Sequence, residues 1–332
     1  MSFRKHPLFA LTMGDPAGIG PEIAVKALGR ESFRESIIVI GDFNVMKRTA
    51  DSLGIALPLH SVTKCQESVP GKANVLDCPE ASPGFFEIGK VQASCGRAAY
   101  CYIERAIRDA LKGDVDGVIT NPINKESLHA AGIDYPGHTE IFAEKTGCAS
   151  YSMLFLLRNV GVAHVTTHCS LRIAVDLVCK ERVLEHIRLL DRAMRQLGIA
   201  APRIAVGGLN PHAGENGLFG DEEIKHISPA IEAARNEGID VRGPFPPDTV
   251  FMRAFRGEFD GVAAMVHDHG FVALKSMDFE HGVNITIGLP IIRTSVGHGT
   301  AFDISGRKVA SPDSLLAAFD AALKLHHNRC KV

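Results

Sequence analysis

A chain of 332 residues, 45% hydrophobic and 22% charged, can bury a substantial core, which excludes a disordered segment and predicts two lobes or one large α/β body. Its formal net charge of -2, with no lysine or arginine run beyond isolated pairs, excludes the basic stripe that nucleic-acid or membrane-surface binding requires. Cysteines at 65, 78, 95, 101, 148, 169, 179 and 330 form no C-x-x-C pair, and no apolar run approaches the roughly 20 residues of a membrane span; reduced thiols in a cytoplasm are expected.

The basic start leads into only a short apolar stretch, so LFALTM (8–13) reads as a first strand rather than a signal peptide. GDPAGIGPE (14–22) then turns into a helix with Pro21 near its first position. That turn reads equally as a backbone cradle for phosphate and as a tight bend needing glycine torsions. Further strand-like runs stand at 36–41, 116–120, 152–157, 161–167, 203–209, 261–266 and 283–289, several apolar on both faces. Over 181–197, Val183, Ile187, Leu190, Met194 and Leu197 form one helical stripe, and Gly198 is placed to stop it. GPFPPDT (243–249) reads as a turn entering a helix. Ser311-Pro312-Asp313 opens a last helix carrying Leu315, Leu316, Phe319 and Leu323. The alternation predicts an α/β fold with a largely parallel or mixed sheet.

His168, His212 and His267 each follow an apolar strand-like run, the position where open α/β sheets bind ligands. Imidazoles from three strand ends suit a divalent metal with a coordination position left for substrate. Zinc is favoured, with cobalt, manganese or magnesium as alternatives. Each has a plainer reading too: a carbonyl partner for His168, a turn for His212, a histidine–carboxylate surface pair for His267 with Asp268. His186 and the His326-His327 pair read as solvated, while the HDH spacing of His267 and His269 offers a chelating pair. Lys275, Asn284 and Arg293 follow at short spacings and suit a doubly anionic substrate. Arg293 lies in the apolar run GLPIIRTSV, an awkward place for a surface charge. His138 and Thr139 precede a helix, Thr139 as its cap or with both facing a crevice.

GDPAGIGPE, NPINK, GHTE, TTH, GLNPHAGE, HDHG, GVNITIGLPIIRTS and GHGTAFDISG occur in this order between residues 14 and 306. Together they resemble the 4-hydroxythreonine-4-phosphate dehydrogenase family across nearly the whole chain, and the last string is similar to the cofactor loop of isopropylmalate and isocitrate dehydrogenases. The resemblance implies the two-lobed isocitrate/isopropylmalate dehydrogenase-like fold, α/β with mixed sheets and a cleft between lobes. The first lobe is expected at 1–130 with 300–332 and the second at 131–299. It implies an NAD site without the G-x-G-x-x-G fingerprint, at His298, Gly299, Thr300 and Asp303. It makes His168, His212 and His267 the ligands of one divalent metal per subunit, and His138, Thr139, Lys275, Asn284 and Arg293 substrate contacts, in a homodimer that shares its active site.

His269 stands where the vitamin B6 pathway pattern has glutamine, and Gly297 where it has aspartate. Both departures resemble catabolic paralogues that act on 4-phospho-D-threonate or 4-phospho-D-erythronate. The expected reaction is NAD-dependent and metal-dependent oxidation at C3 with decarboxylation, giving dihydroxyacetone phosphate and CO2. Asp248 and Asp268 are the candidate bases, Asp268 alternatively orienting a ligand histidine. The alternatives are the 4-(phosphooxy)-L-threonine dehydrogenase of pyridoxal phosphate synthesis, a metal-dependent hydrolase without nicotinamide, and a catalytically silent binding protein on the same scaffold.

Overall fold

Strands buried on both faces need a cover of helices on each side, and this chain supplies them twice. The computed structural model describes residues 7–79, 82, 84–277 and 282–329. It divides into two units, residues 1–149 with 289–326 and residues 150–288 with 327–332. The division at 149/150 and 288/289 differs from the expected 130/131 and 299/300. Helix 138–146 packs against helix 93–111, and strand 293–296 pairs with strand 117–120, so both belong to the first unit.

In the first unit, β1 (Phe9–Thr12), β2 (Ile37–Gly41), β3 (Leu59–Val62), β4 (Ala73–Asp77), β5 (Gly117–Thr120) and β12 (Arg293–Val296) run parallel in the order β3-β4-β2-β1-β5-β12. β1, β2, β5 and β12 are buried throughout, as strands covered on two faces must be. Its helices are α1 (Gly20–Leu28), α2 (Glu31–Glu35), α3 (Phe43–Leu53), α4 (Ala93–Leu111), α5 (Lys125–Ala130), α6 (His138–Thr146) and α12 (Asp313–Asn328) up to residue 326. Asp42 caps α3 and Asn124 caps α5, each accepting a backbone N–H three residues on.

The second unit orders its strands β11-β6-β7-β10-β8-β9: β6 (Ser152–Leu157), β7 (Val160–His164), β8 (Ile204–Gly207), β9 (Val241–Phe245), β10 (Gly261–Ala264) and β11 (Val283–Ile287). β6 pairs antiparallel with β7 and β11, while β7, β10, β8 and β9 run parallel, so the sheet is mixed. Its helices are α7 (Leu171–Leu177), α8 (Lys180–Gln196), α9 (Ser228–Asn236), α10 (Val250–Phe255) and α11 (His267–Met277). Phe155, Val162, Ala205, Phe251, Phe259 and Leu274 belong to one core cluster. Among the described residues, no helix is long and apolar enough to cross a membrane.

Several local readings are corrected. Proline and glycine do not keep GPFPP out of the sheet: its first part forms β9, an edge strand, where a missing N–H donor is tolerated. His186 is buried, 3% exposed, and its Nδ1 lies 2.8 Å from the Arg182 carbonyl, so it joins the α8 stripe instead of facing solvent. His326 lies within α12, edge-on to Phe9 at 6.0 Å. Thr139 does not cap α6; Gly137 holds that position, with no side-chain bond.

The GDPAGIGPE turn is a tight bend rather than a phosphate cradle. The Asp15 N–H donates to Pro122 O at 3.0 Å, the Ala17 N–H to Asp15 Oδ1 at 2.9 Å, the Gly18 N–H to Asp15 O at 3.0 Å and the Ile19 N–H to Thr300 O at 3.1 Å. These amides are satisfied within the fold. Asp15 itself is fully buried, and burial pushes its carboxyl up to about 6, against the opposing bonds from Ala17 and Ser127. The unfolded carboxyl ionises near 3.8 and the folded one near 6, so this group's contribution to stability is lost as pH rises through that window. Asp15→Asn is therefore expected to be about 3 kcal/mol more stable than the parent at pH 8, and less than about 1 kcal/mol more stable at pH 4. Urea unfolding at the two pH values measures this, and an advantage independent of pH would exclude ionisation as the cause.

Candidate active site

In the first unit, β12 places Arg293 beneath α6. The guanidinium is 2% exposed, donates from Nη2 to Thr120 Oγ1 at 2.8 Å and lies 5.5 Å from the centre of the Phe142 ring. Burial depresses its pKa to about 9, with Glu140 acting the other way, so it stays charged at neutral pH. His138 opens α6 half-buried, and its Nε2 has no hydrogen-bond partner among the described residues. Burial, then the charges of Arg293 and Lys125, hold its pKa well below the usual imidazole range, so it is neutral. Thr139 beside it is buried. A neutral imidazole with two cations, Arg293 and the exposed Lys125, beside the carboxylate Glu140 suits a phosphate or carboxylate. Lys125 escaped the sequence reading, although NPINK contains it. No local pattern announces that residue 125 acts on residue 138.

Also in this unit, the expected cofactor loop packs against the first turn. Thr300 is buried and receives the Ile19 N–H, while His298 is half-buried with Nδ1 2.9 Å from Gly299 O. Gly299 and Asp303 are exposed.

In the second unit, β7 and β10 end side by side, at His164 and Ala264, and the chain then runs to His168 and to His267 at the start of α11. The His168 and His267 rings lie 6.3 Å apart between centroids, and His267 Nδ1 is 2.7 Å from Asp268 Oδ1. That contact directs the other nitrogen of His267 away from Asp268, the arrangement of a carboxylate-oriented metal ligand. Phe271 sits against His267 at 4.4 Å and stacks on His164 at 4.7 Å. His164, 2% exposed, is a second residue the sequence reading passed over; its pKa is pushed down to about 3, chiefly by burial and then by the neighbouring His267. A side chain at Gly270 would come within 2.2 Å of His164 Nε2, which is why a glycine stands inside α11.

His212 is exposed in the turn after β8. With Asp248, Asp268 and His269 it lines a cavity of about 940 Å³ whose remaining wall is mostly apolar, including Phe251 and Met277. His269 falls on α11; its pKa is lowered by burial, and its Nδ1 has no partner among the described residues. Lys275 is exposed, its ammonium 5.4 Å from the Phe271 ring centre, and Asn284 on β11 is half-buried with Oδ1 unpartnered among the described residues.

The second unit thus brings His168 beside His267 and Asp268, and His212 beside Asp248, Asp268 and His269. Among the described residues, no three histidine, cysteine or carboxylate side chains already converge to hold a metal. Two adjacent imidazoles, one steadied by a carboxylate, fit part of a borderline-soft ion's donor set. Exposed apolar side chains flank these histidines: Leu171 and Ile173 after His168, Leu218 and Phe219 after His212, Val272 and Met277 after His267.

Residues 33–322 match the family model described as pyridoxal phosphate biosynthetic protein PdxA. The chain belongs to this family. It is 47% identical to the D-threonate 4-phosphate dehydrogenase of Salmonella typhimurium over 95% of this chain and 98% of that one. It is 49% identical to the 4-hydroxythreonine-4-phosphate dehydrogenase of Beijerinckia indica, over 98% and 96% of the two chains. The crystal structure of 4-hydroxythreonine-4-phosphate dehydrogenase from Klebsiella pneumoniae superposes with a TM-score of 0.85 at 43% identity, covering 96% of this chain and 99% of that one. This member of the PdxA family is accordingly an enzyme, an oxidoreductase of the dehydrogenase type.

Proposed function

We propose that this PdxA-family chain oxidises C3 of a 4-phosphorylated four-carbon hydroxy acid, 4-phospho-D-threonate or 4-phospho-D-erythronate, with NAD, and releases CO2 to leave dihydroxyacetone phosphate. The observation that carries the reading is the costly buried cation of Arg293 next to a neutral His138, a pairing suited to an anionic group on a small substrate. Arg293, His138, Thr139, Lys275 and Asn284 are the contacts to the phosphorylated acid. His298, Gly299, Thr300 and Asp303 receive NAD.

His168 and His267 hold a divalent ion, with His212 completing the set from a second copy of the chain. The exposed apolar residues beside all three histidines support that homodimer, because such patches ordinarily mark contact surfaces. When bound, the ion would supply Lewis acidity toward the substrate's oxygens and NAD would be the acceptor for the C3 hydride. Asp268 is committed to orienting His267, which leaves Asp248 to take the hydroxyl proton as C3 becomes a ketone. Loss of CO2 from the resulting β-keto acid leaves an electron pair on C2 that a proton then fills.

The aminated substrate, 4-(phosphooxy)-L-threonine, is the competing reading, favoured by the name of the Beijerinckia indica relative. Gly297 argues against it: it stands where the vitamin B6 pathway pattern has aspartate, so this chain lacks there a carboxylate that could compensate an ammonium. Reduced NAD, followed with each acid in turn, is expected to show kcat/KM at least about 100-fold higher for 4-phospho-D-threonate or 4-phospho-D-erythronate, a difference of roughly 2.7 kcal/mol. The opposite preference would return the enzyme to the aminated substrate.

A further inference from the structure

We infer that Glu223 is a positioning residue, a buried carboxylate clamp that fixes His212 by holding a left-handed turn closed. Residues 212–216 all lie at positive φ, with values of 53, 54, 78, 45 and 56°. Only Gly214 among them lacks a Cβ. Each of the other four is disfavoured there by roughly 1–2 kcal/mol, so the turn persists only if its surroundings hold it. The surroundings are Glu223, 3% exposed at the start of a single π-turn (Glu223–Ile227) ahead of α9. Its Oε1 accepts the Leu209 N–H at 2.7 Å and the Asn210 N–H at 2.8 Å, and its Oε2 accepts from Asn210 Nδ2 at 2.9 Å. A Cβ at Gly214 would stand 2.6 Å from Oε2, so the turn is wrapped directly against the carboxylate. The three bonds fasten the two residues leading into the turn.

The clamp acts on His212 through the backbone and rests on the reading above that His212 belongs to the active site. Hydrogen exchange, cobalt(II) titration and steady-state kinetics with 4-phospho-D-threonate, all on the full chain, test the two separately. In Glu223→Ala, exchange across 209–216 is expected to accelerate at least about tenfold while α8 and the sheet stay protected. Cobalt affinity should fall about 10–100-fold, and kcat/KM by about 100-fold, mostly in kcat. Glu223→Gln keeps an oxygen toward the two amides and should recover activity to within about tenfold of the parent. If Glu223→Ala does not fold, Asn210→Ala removes one of the three bonds, together with the Asn210 Nδ2 bond to Glu222 Oε2 at 2.7 Å, and should show the same changes, about tenfold smaller. Unchanged exchange at 209–216 overturns the clamp, and so does a Glu223→Ala enzyme with kcat and cobalt affinity intact when His212→Ala impairs both. His212→Ala is the separate control: if it keeps parental kcat and cobalt affinity, the active-site reading of His212 fails, whereas accelerated exchange in Glu223→Ala would still establish the clamp.

Discussion

His267→Ala is expected to lower kcat/KM by at least about 1,000-fold while the protein stays folded. Loss of a metal's charge stabilisation in the transition state is worth several kcal/mol, and each 1.36 kcal/mol is a factor of ten. The structural cost is small because the His267 side chain is 39% exposed and Phe271 keeps its stack on His164. Asp268→Asn should cost less, about 10–100-fold, since it leaves the imidazole and weakens only the group that orients it. Metal content, kcat/KM and melting temperature would be measured on the same preparations. A His267→Ala enzyme with parental metal content and more than a tenth of parental turnover would remove the metal from the mechanism.

Arg293→Met separates function from stability in the opposite way. Burial lowers the guanidinium's pKa from its ordinary value to about 9, so below pH 9 the fold carries the whole penalty of a buried cation. Between those values the unfolded chain binds more protons than the folded one, and stability contributed by this group rises with pH. Methionine fills similar space without charge. We expect its melting temperature at pH 7 to lie within a few degrees of the parent or above it, because replacing a buried ion with an apolar side chain is commonly neutral or favourable. The same variant should raise KM for the phosphorylated acid at least about 100-fold, as expected when a desolvated charge-assisted contact is lost. The parent should gain on the variant as pH rises above 9. A large fall in melting temperature with unchanged KM would make Arg293 a structural cation only.

Much of the fold was readable because its signals are local. β1, β2, β5, β6 and β10 are continuous apolar runs, and α8 ends one residue before its predicted limit, with Gly198 just beyond at φ 102°. β3 was missed because LHSV is a partly exposed edge strand of mixed polarity. His186 was misjudged because its charged neighbours in sequence are not its neighbours in space. For the site, Arg293 announced itself as a charge inside an apolar run, and Asp248 and Asp268 were named as candidates that the cavity then brought into company with His212 and His269.

The order of apolar runs, glycines and eight ordered motifs was enough to establish an α/β oxidoreductase of this family and to nominate the residues that carry its chemistry. Tertiary structure alone decided their company: His168 beside His267, His164 buried under Phe271, Lys125 acting on His138, and a carboxylate at 223 clamping the turn that carries His212. The reason is physical. Secondary structure follows the spacing of side chains along one strand or helix, whereas these encounters depend on which strands a parallel crossover makes adjacent and on where buried charge finds its amides.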